Sequence, residues 1–98
     1  MVSNTKLTKD QKHAVKAFEY NMMPNDAFFV DNGKVTILVI PEFNNSKMVM
    51  VSVSTMADNE KKFRPSVGKY FAMQNFYKGE YIKIFMETNM FQLMELFS

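Results

Sequence analysis

The stretch Ala27–Pro41, AFFVDNGKVTILVIP, decides the fold that we predict for this chain. Ala27–Val30 and Lys34–Ile40 are two apolar runs, and Asp31-Asn32-Gly33 lies between them. Asn-Gly readily supplies the positive φ angles of a tight primed turn, so the stretch predicts a β-hairpin. The second run is apolar on both faces except at Thr36, which is typical of a strand that is covered on two sides.

A helix is predicted before the hairpin. Thr8 and Gln11 have the spacing of a capping box, in which each residue satisfies an amide of the other. Apolar residues then repeat at helical intervals up to Pro24, and they are Ala14, Val15, Phe18 and Met22. The opposite face of this helix carries a basic stripe, formed by Lys9, Lys12, His13 and Lys16.

The segment Lys47–Thr55 alternates between two kinds of side chain and predicts a third strand. One face of this strand carries Val49, Val51, Val53 and Thr55. The other face carries Met48, Met50, Ser52 and Ser54. We expect the valines to point into the core, which leaves the methionine and serine face neither fully wet nor fully buried.

The segment Met56–Glu80, MADNEKKFRPSVGKYFAMQNFYKGE, predicts a second helix. Pro65 suits its first turn, and Gly79 suits its C-terminal end. Apolar residues cover more of this helix than the single stripe of a surface helix, so it is covered on two sides or exposes aromatic side chains. Glu80–Met86 then alternates as a fourth strand, and Asn89 caps a last short helix.

The order of these elements, α-β-β-β-α-β-α, predicts the fold class. We expect one small α+β domain over residues 1–98, because a chain of this length holds a single core. The simplest packing of the order is an antiparallel sheet of three to four strands with the helices on one face.

Charge and composition exclude several classes of protein. The chain has 98 residues, a net charge of +2 and no cysteine, which excludes disulfide scaffolds, thiol catalysis and cysteine-bound metal sites. No apolar run approaches the roughly 18 residues of a membrane span, and the first residues lack the pattern of a signal peptide. We therefore expect a cytoplasmic protein without a membrane partner.

The sequence carries no motif of catalysis that we can identify. Its single histidine, His13, lies in the middle of the lysine stripe, and no G-x-S-x-G or glycine-rich phosphate loop occurs. The acidic residues are scattered, without the clustering that a hard metal ion requires. We predict that the protein is not an enzyme and uses no cofactor or metal. An enzyme whose site only the fold assembles remains a third hypothesis.

The basic residues support one functional hypothesis, which is nucleic-acid binding. The basic helix face could follow a phosphate backbone, and aromatic residues near the second cluster of bases could stack on unpaired bases. The candidate residues are Lys9, Lys12, Lys16, Lys61, Lys62, Arg64 and Lys69. Against this hypothesis, amphipathic helices ordinarily turn lysine toward solvent.

The apolar residues support the leading hypothesis, which is binding to another protein. The chain has ten methionines, a soft residue that is common at adaptable interfaces and also in ordinary cores. It has more apolar faces than one small core needs, which favours a partner protein or self-association as a homodimer. The candidate residues are Tyr70, Met73, Phe76, Tyr77, Met48 and Met50.

A pattern within residues 49–80 resembles one found in small accessory proteins of tailed bacteriophages. It comprises a strand followed by Asp58, Phe63, Arg64, Gly68, Lys69 and Ala72. The resemblance implies a non-enzymatic phage protein that acts in the host cytoplasm and inhibits or modulates a host nuclease, polymerase or defence complex. It implies no particular binding residues.

Overall fold

The hairpin predicted for residues 27–41 is present and forms half of the sheet. The computed structural model describes residues 7–22, 26–42, 44, 47–56 and 62–97. Strand β1 (Phe28–Asp31) pairs antiparallel with strand β2 (Val35–Pro41), and the register sets Asp31 opposite Thr36. The prediction of a hairpin is therefore confirmed.

The turn of this hairpin uses its asparagine and its glycine differently. Gly33 has a φ of 88°, whereas Asn32 does not adopt a positive φ. The Asn32 side chain instead accepts hydrogen bonds from the amides of Lys34, at 3.0 Å, and Val35, at 2.8 Å. A positive φ at the first central residue alone is the pattern of a type II′ turn. Glycine thus supplies the backbone freedom, and asparagine supplies the hydrogen bonds.

The remaining elements follow in the predicted order. Helix α1 (Lys9–Met22) precedes the hairpin, which is followed by β3 (Met48–Thr55), α2 (Pro65–Tyr77), β4 (Ile82–Phe85) and α3 (Met90–Glu95). The four strands form one antiparallel sheet in the order β1-β2-β3-β4. The predicted fold class, a single α+β domain with the order α-β-β-β-α-β-α, is confirmed.

Two helices begin at the residues that the sequence indicates. The amide of Thr8 donates to Oε1 of Gln11 at 2.8 Å, and the amide of Gln11 donates to Oγ1 of Thr8 at 3.2 Å. These reciprocal bonds are a capping box. At α3, Oδ1 of Asn89 accepts from the amides of Phe91 and Gln92. Both caps satisfy amides that a helix leaves without a partner in its first turn.

Strand β2 is covered on both faces, as its continuous apolar run predicts. All residues from Val35 to Ile40 are buried. On one face, Leu38 packs with Phe18 of α1 and Met73 of α2. On the other face, Ile37 and its neighbours pack with Met94 of α3.

The prediction that all helices share one face is wrong for α3. Helices α1 and α2 cover one face of the sheet, and α3 covers the other. Successive strand residues point to opposite faces, so Val49 and Val51 of β3 face α3, while Met50 and Ser52 lie under α2. Because both faces of the central strands are apolar, each needs cover. The valine face and the methionine face of β3 both belong to the core.

Helix α2 approaches the sheet closely and is hydrogen-bonded to it. The Ser52 hydroxyl donates to the carbonyl of Ala72, and Nδ2 of Asn75 donates to the carbonyl of Val53 at 2.9 Å. Gly68 faces Thr36 of β2, and a Cβ atom at Gly68 would overlap Oγ1 of that threonine. This hydroxyl is buried, and no hydrogen-bond partner lies within the described residues. Only glycine allows α2 to lie this close to β2.

We expect Gly68→Ala to lower the free energy of unfolding, by about 1–3 kcal/mol, because the added methyl group overpacks the contact with Thr36. This loss opposes the gain in helix propensity that alanine ordinarily brings. Urea denaturation measures the change. Thr36→Ala in the same chain should recover part of the loss, so that the two effects are not additive. Additive effects would contradict the close approach.

We expect Met94→Ala to lower the free energy of unfolding by about 2–5 kcal/mol, since it leaves a cavity where α3 meets the sheet. Leu96→Ala is the matched control at the end of the same helix, and its exposed side chain should contribute within about 0.5 kcal/mol. Urea denaturation of both variants measures the difference. Equal effects would mean that α3 does not anchor the second face.

Candidate protein-binding surface

Helix α3 has one side against the sheet and one side exposed. Met90, Leu93 and Met94 pack against the sheet. The exposed residues are the polar Gln92 and Glu95 and two large apolar ones, Phe91 (61% exposed) and the C-cap residue Leu96 (79% exposed). A helix on a protein surface ordinarily turns polar residues outward. The outer side of α3 therefore combines two polar residues with two large apolar ones that this core does not use.

Strand β4 also exposes large apolar side chains. Ile82 is 47% exposed and Phe85 is 64% exposed, although both belong to a strand that pairs with β3. Met86, which follows directly, is about half exposed. In the part of the chain that the structure describes, β4 is the last strand of the sheet on this side.

The backbone of β4 presents hydrogen-bonding groups at the open edge. The amide of Met86 donates to the carbonyl of Lys47, so this residue turns toward β3. Groups of alternate residues point in opposite directions, so the groups of Ile84 also turn toward β3, and the amides of Lys83 and Phe85 turn away from it. The carbonyl of Phe85, which also turns away from β3, accepts the amide of Thr88 at 3.0 Å, so the turn after β4 covers this end of the edge.

The only charged side chain of β4 is held by its own chain. Nζ of Lys83 lies 3.1 Å from Oε2 of Glu42, just after β2. The hydrogen bond to this carboxylate, and then its negative charge, raise the pKa of Lys83 above the ordinary 10.5. Lys83 therefore stays charged through the physiological range, and its charge is balanced within the chain.

A groove connects the start of β4 with the end of α3. Its volume is about 320 Å³, and its walls include Tyr81, Ile82 and Phe97. Gly79, which has a φ of 82°, also lines it and turns the chain from α2 toward β4. The exposed residues of β4 thus continue into the C-terminal end of α3.

Most of the residues predicted to bind a partner lie elsewhere and are at least partly buried. Met73 is only 3% exposed, which corrects its assignment as a contact residue. Tyr70, Phe76 and Met50 are half-buried and pack against the core between α1, α2 and the sheet. They are covered because α1 lies along α2. The same half-burial applies to Met48.

Tyr77 is the one predicted contact residue whose side chain is mostly exposed. Its ring nevertheless contacts Phe18 edge-to-face, with 5.9 Å between ring centroids.

The sequence analysis did not identify the exposed apolar residues Ile82, Phe85, Phe91 and Leu96 as candidates. The sequence does show that residues 82–85 and 90–96 are rich in apolar side chains. It does not show that they lie at a sheet edge and on an outer helix, because that position depends on the tertiary structure.

The predicted nucleic-acid residues fall into four groups, one of which is the half-buried Arg64. Lys9, Lys12 and Lys16 are exposed on α1, and Lys62 is exposed before α2. Lys69 is engaged, because its Nζ lies 3.3 Å from Oε2 of Glu19 and above the ring of Phe29. Lys61 lies outside the described residues.

The fold brings three of these cations to one cleft. Lys12 of α1 lines it together with Lys62 and Arg64, which lead into α2. Phe63 and Pro65 contribute apolar walls, and the volume is about 410 Å³. This basic cleft therefore joins residues that are about fifty positions apart in the sequence.

Within residues 7–22, 26–42, 44, 47–56 and 62–97, no three His, Cys, Asp or Glu side chains gather in a way that could hold a metal ion. His13 is exposed on α1. No helix in the same part of the chain combines the length and apolarity needed to span a membrane.

Comparisons with models of known protein families, with curated proteins and with solved structures found no match to this chain.

Proposed function

We propose that this chain is a small non-enzymatic protein that binds another protein through the outer side of α3. The observation that carries the proposal is the exposure of Phe91 on α3 and of Leu96 at its C-cap, while the inner side of α3 already fills the core. Large apolar side chains near the centre of an interface contribute most of its binding energy. Two large apolar side chains exposed on one short segment support such a contact.

The resemblance to phage accessory proteins supports a particular kind of partner. On that basis the target is a host nuclease, polymerase or defence complex in the host cytoplasm, and binding inhibits or modulates it. Gly68 and Ala72 of the shared pattern pack α2 onto the sheet. These two residues therefore have a structural role, and we assign the contact with the target to α3.

We expect Phe91→Ser and Leu96→Ser each to weaken capture of the target by about tenfold or more, as the loss of a central apolar contact does. The measurement is affinity capture from nuclease-treated bacterial lysate by tagged protein, followed by titration with the purified target. Gln92→Ser is the matched control, because Gln92 is exposed on the same helix and is polar. A target whose affinity is unchanged by both apolar variants would refute the α3 surface.

The basic cleft favours a second candidate function, which is binding of single-stranded nucleic acid. Lys12, Lys62 and Arg64 could neutralise neighbouring phosphates, and Phe63 could stack on a base. Lys69 is not needed for this function, since Glu19 already balances its charge. The cleft lies beside α1 and α2, whereas α3 covers the opposite face of the sheet. The two functions thus use different faces.

We expect Lys12→Gln to weaken binding of a labelled single-stranded oligonucleotide and to reduce the salt slope by about 0.7, because one phosphate contact is lost. Fluorescence anisotropy at several salt concentrations measures both quantities. Lys16→Gln is the matched control, an exposed lysine of the same helix that does not line the cleft. Equal effects of the two variants would indicate diffuse attraction to α1 and would exclude the cleft as the site.

A further inference from the structure

We infer that the basic cleft between Lys12, Lys62 and Arg64 holds the terminal phosphate of a nucleotide, with the base against Phe63. The inference rests on the second candidate function, in which this cleft binds nucleic acid, and it names the group that the cleft recognises. A terminal phosphate is a monoester, whereas each phosphate inside a strand is a diester. The same group is present at the phosphorylated end of a strand and in a free nucleotide.

Arg64 carries a charge that no neighbour balances in the part of the chain that the structure describes. It is half-buried and lines the cleft at the point where α2 begins. None of the described carboxylates lies within ion-pair distance of its guanidinium, unlike the pairs that Lys69 and Lys83 form. Partial burial of a charge is unfavourable without a counter-charge. A phosphate would supply that counter-charge, and the planar guanidinium donates two parallel hydrogen bonds to such a group.

The net charge of the cleft favours a terminal phosphate over a phosphate inside a strand. The walls are Leu7, Lys12 and the segment 62–67, which contain three cations and no carboxylate. A phosphodiester carries one negative charge and would leave most of this positive charge unmatched. A phosphate monoester carries about −1.5 to −2 near pH 7. It therefore matches the three cations more closely.

The size of the cleft favours a single nucleotide. Its volume is about 410 Å³. This value falls in the lower part of the range of small-ligand pockets, which is roughly 300–1,000 Å³. Sites that follow a single strand extend over several nucleotides, roughly 4–16 in a domain of the OB-fold type. The cleft thus has room for one unit of a nucleic acid and its terminal group.

Phe63 provides the apolar contact that a base requires. It is half-buried, yet it packs with neither of the two core clusters of the described residues. It lines the cleft instead, next to Pro65 and Val67. An aromatic ring can stack on any base, because every base has a π face. The cleft therefore combines cations for the phosphate with a ring for the base.

Fluorescence anisotropy with the full chain tests the preference for a terminal phosphate. The probes are internally labelled single strands of one sequence, with a phosphate at the 5′ end, a phosphate at the 3′ end, or hydroxyls at both ends. We expect one or both phosphorylated strands to bind about tenfold more tightly than the hydroxyl strand, because charge-assisted hydrogen bonds are added. Equal affinities for all these strands would overturn the inference.

Variants of the cleft locate this preference. Arg64→Gln should remove it, whereas Lys16→Gln, an exposed lysine of α1 outside the cleft, should keep it. Urea denaturation checks that Arg64→Gln folds. Lys62→Gln is the second cleft variant, and because Lys62 is exposed its replacement leaves the core intact. It should reduce the preference in the same direction. A preference that neither cleft variant reduces would overturn the assignment to this cleft.

Competition distinguishes a strand end from a free nucleotide. Adenosine 5′-monophosphate should displace the phosphorylated strand, and adenosine at the same concentration should not. Inorganic phosphate should compete more weakly than the nucleotide, because it lacks the base, and Phe63→Leu should remove this difference. A nucleotide that binds as tightly as the phosphorylated strand identifies the free nucleotide as the ligand, and tighter binding of the strand identifies its end. Adenosine that competes as well as its monophosphate would overturn the inference.

The inference and the proposed functions fail separately. Equal binding of every strand would overturn the terminal phosphate and leave strand binding at the cleft in place. Binding of the nucleotide without any strand would support the terminal phosphate and reject strand binding. Absence of binding to all the strands and to the nucleotide would overturn both. Arg64→Gln should still capture the target protein, because α3 covers the opposite face of the sheet.

Discussion

The close approach of α2 to the sheet is the constraint on which the rest of the structure depends. Gly68 lets the helix lie directly against Thr36, and hydrogen bonds from Ser52 and Asn75 hold α2 to β3. Because α2 lies so close to the sheet, Met73 is buried and the aromatic residues beside it contact α1. The apolar surface of α2 is thereby used inside the protein.

The two buried faces of β2 impose the second requirement. Both faces of this strand are apolar, and α1 and α2 bury only one of them. A helix of six residues, α3, covers the other face through Met94 and its neighbours. Gln92 and Glu95 of this helix face solvent, and so do the apolar Phe91 and the C-cap residue Leu96.

The surfaces described here divide between the two faces and one edge of the sheet. The basic cleft lies beside α1 and α2, the outer side of α3 lies on the opposite face, and β4 forms the edge. Because the charged and the apolar surfaces are separate, a contact at one leaves the others open.

The sequence by itself determined the elements, their order, the hairpin at Gly33 and the helix caps at Thr8 and Asn89. These features depend on local patterns and on turn and cap chemistry, which act over a few residues. Only the tertiary structure decided that α3 covers the second face, that Met73 is core, and that Lys12 and Arg64 line one cleft. An apolar residue has the same local pattern whether its face meets a helix, an edge or solvent. Which of these it meets depends on packing between distant segments, which local periodicity does not encode.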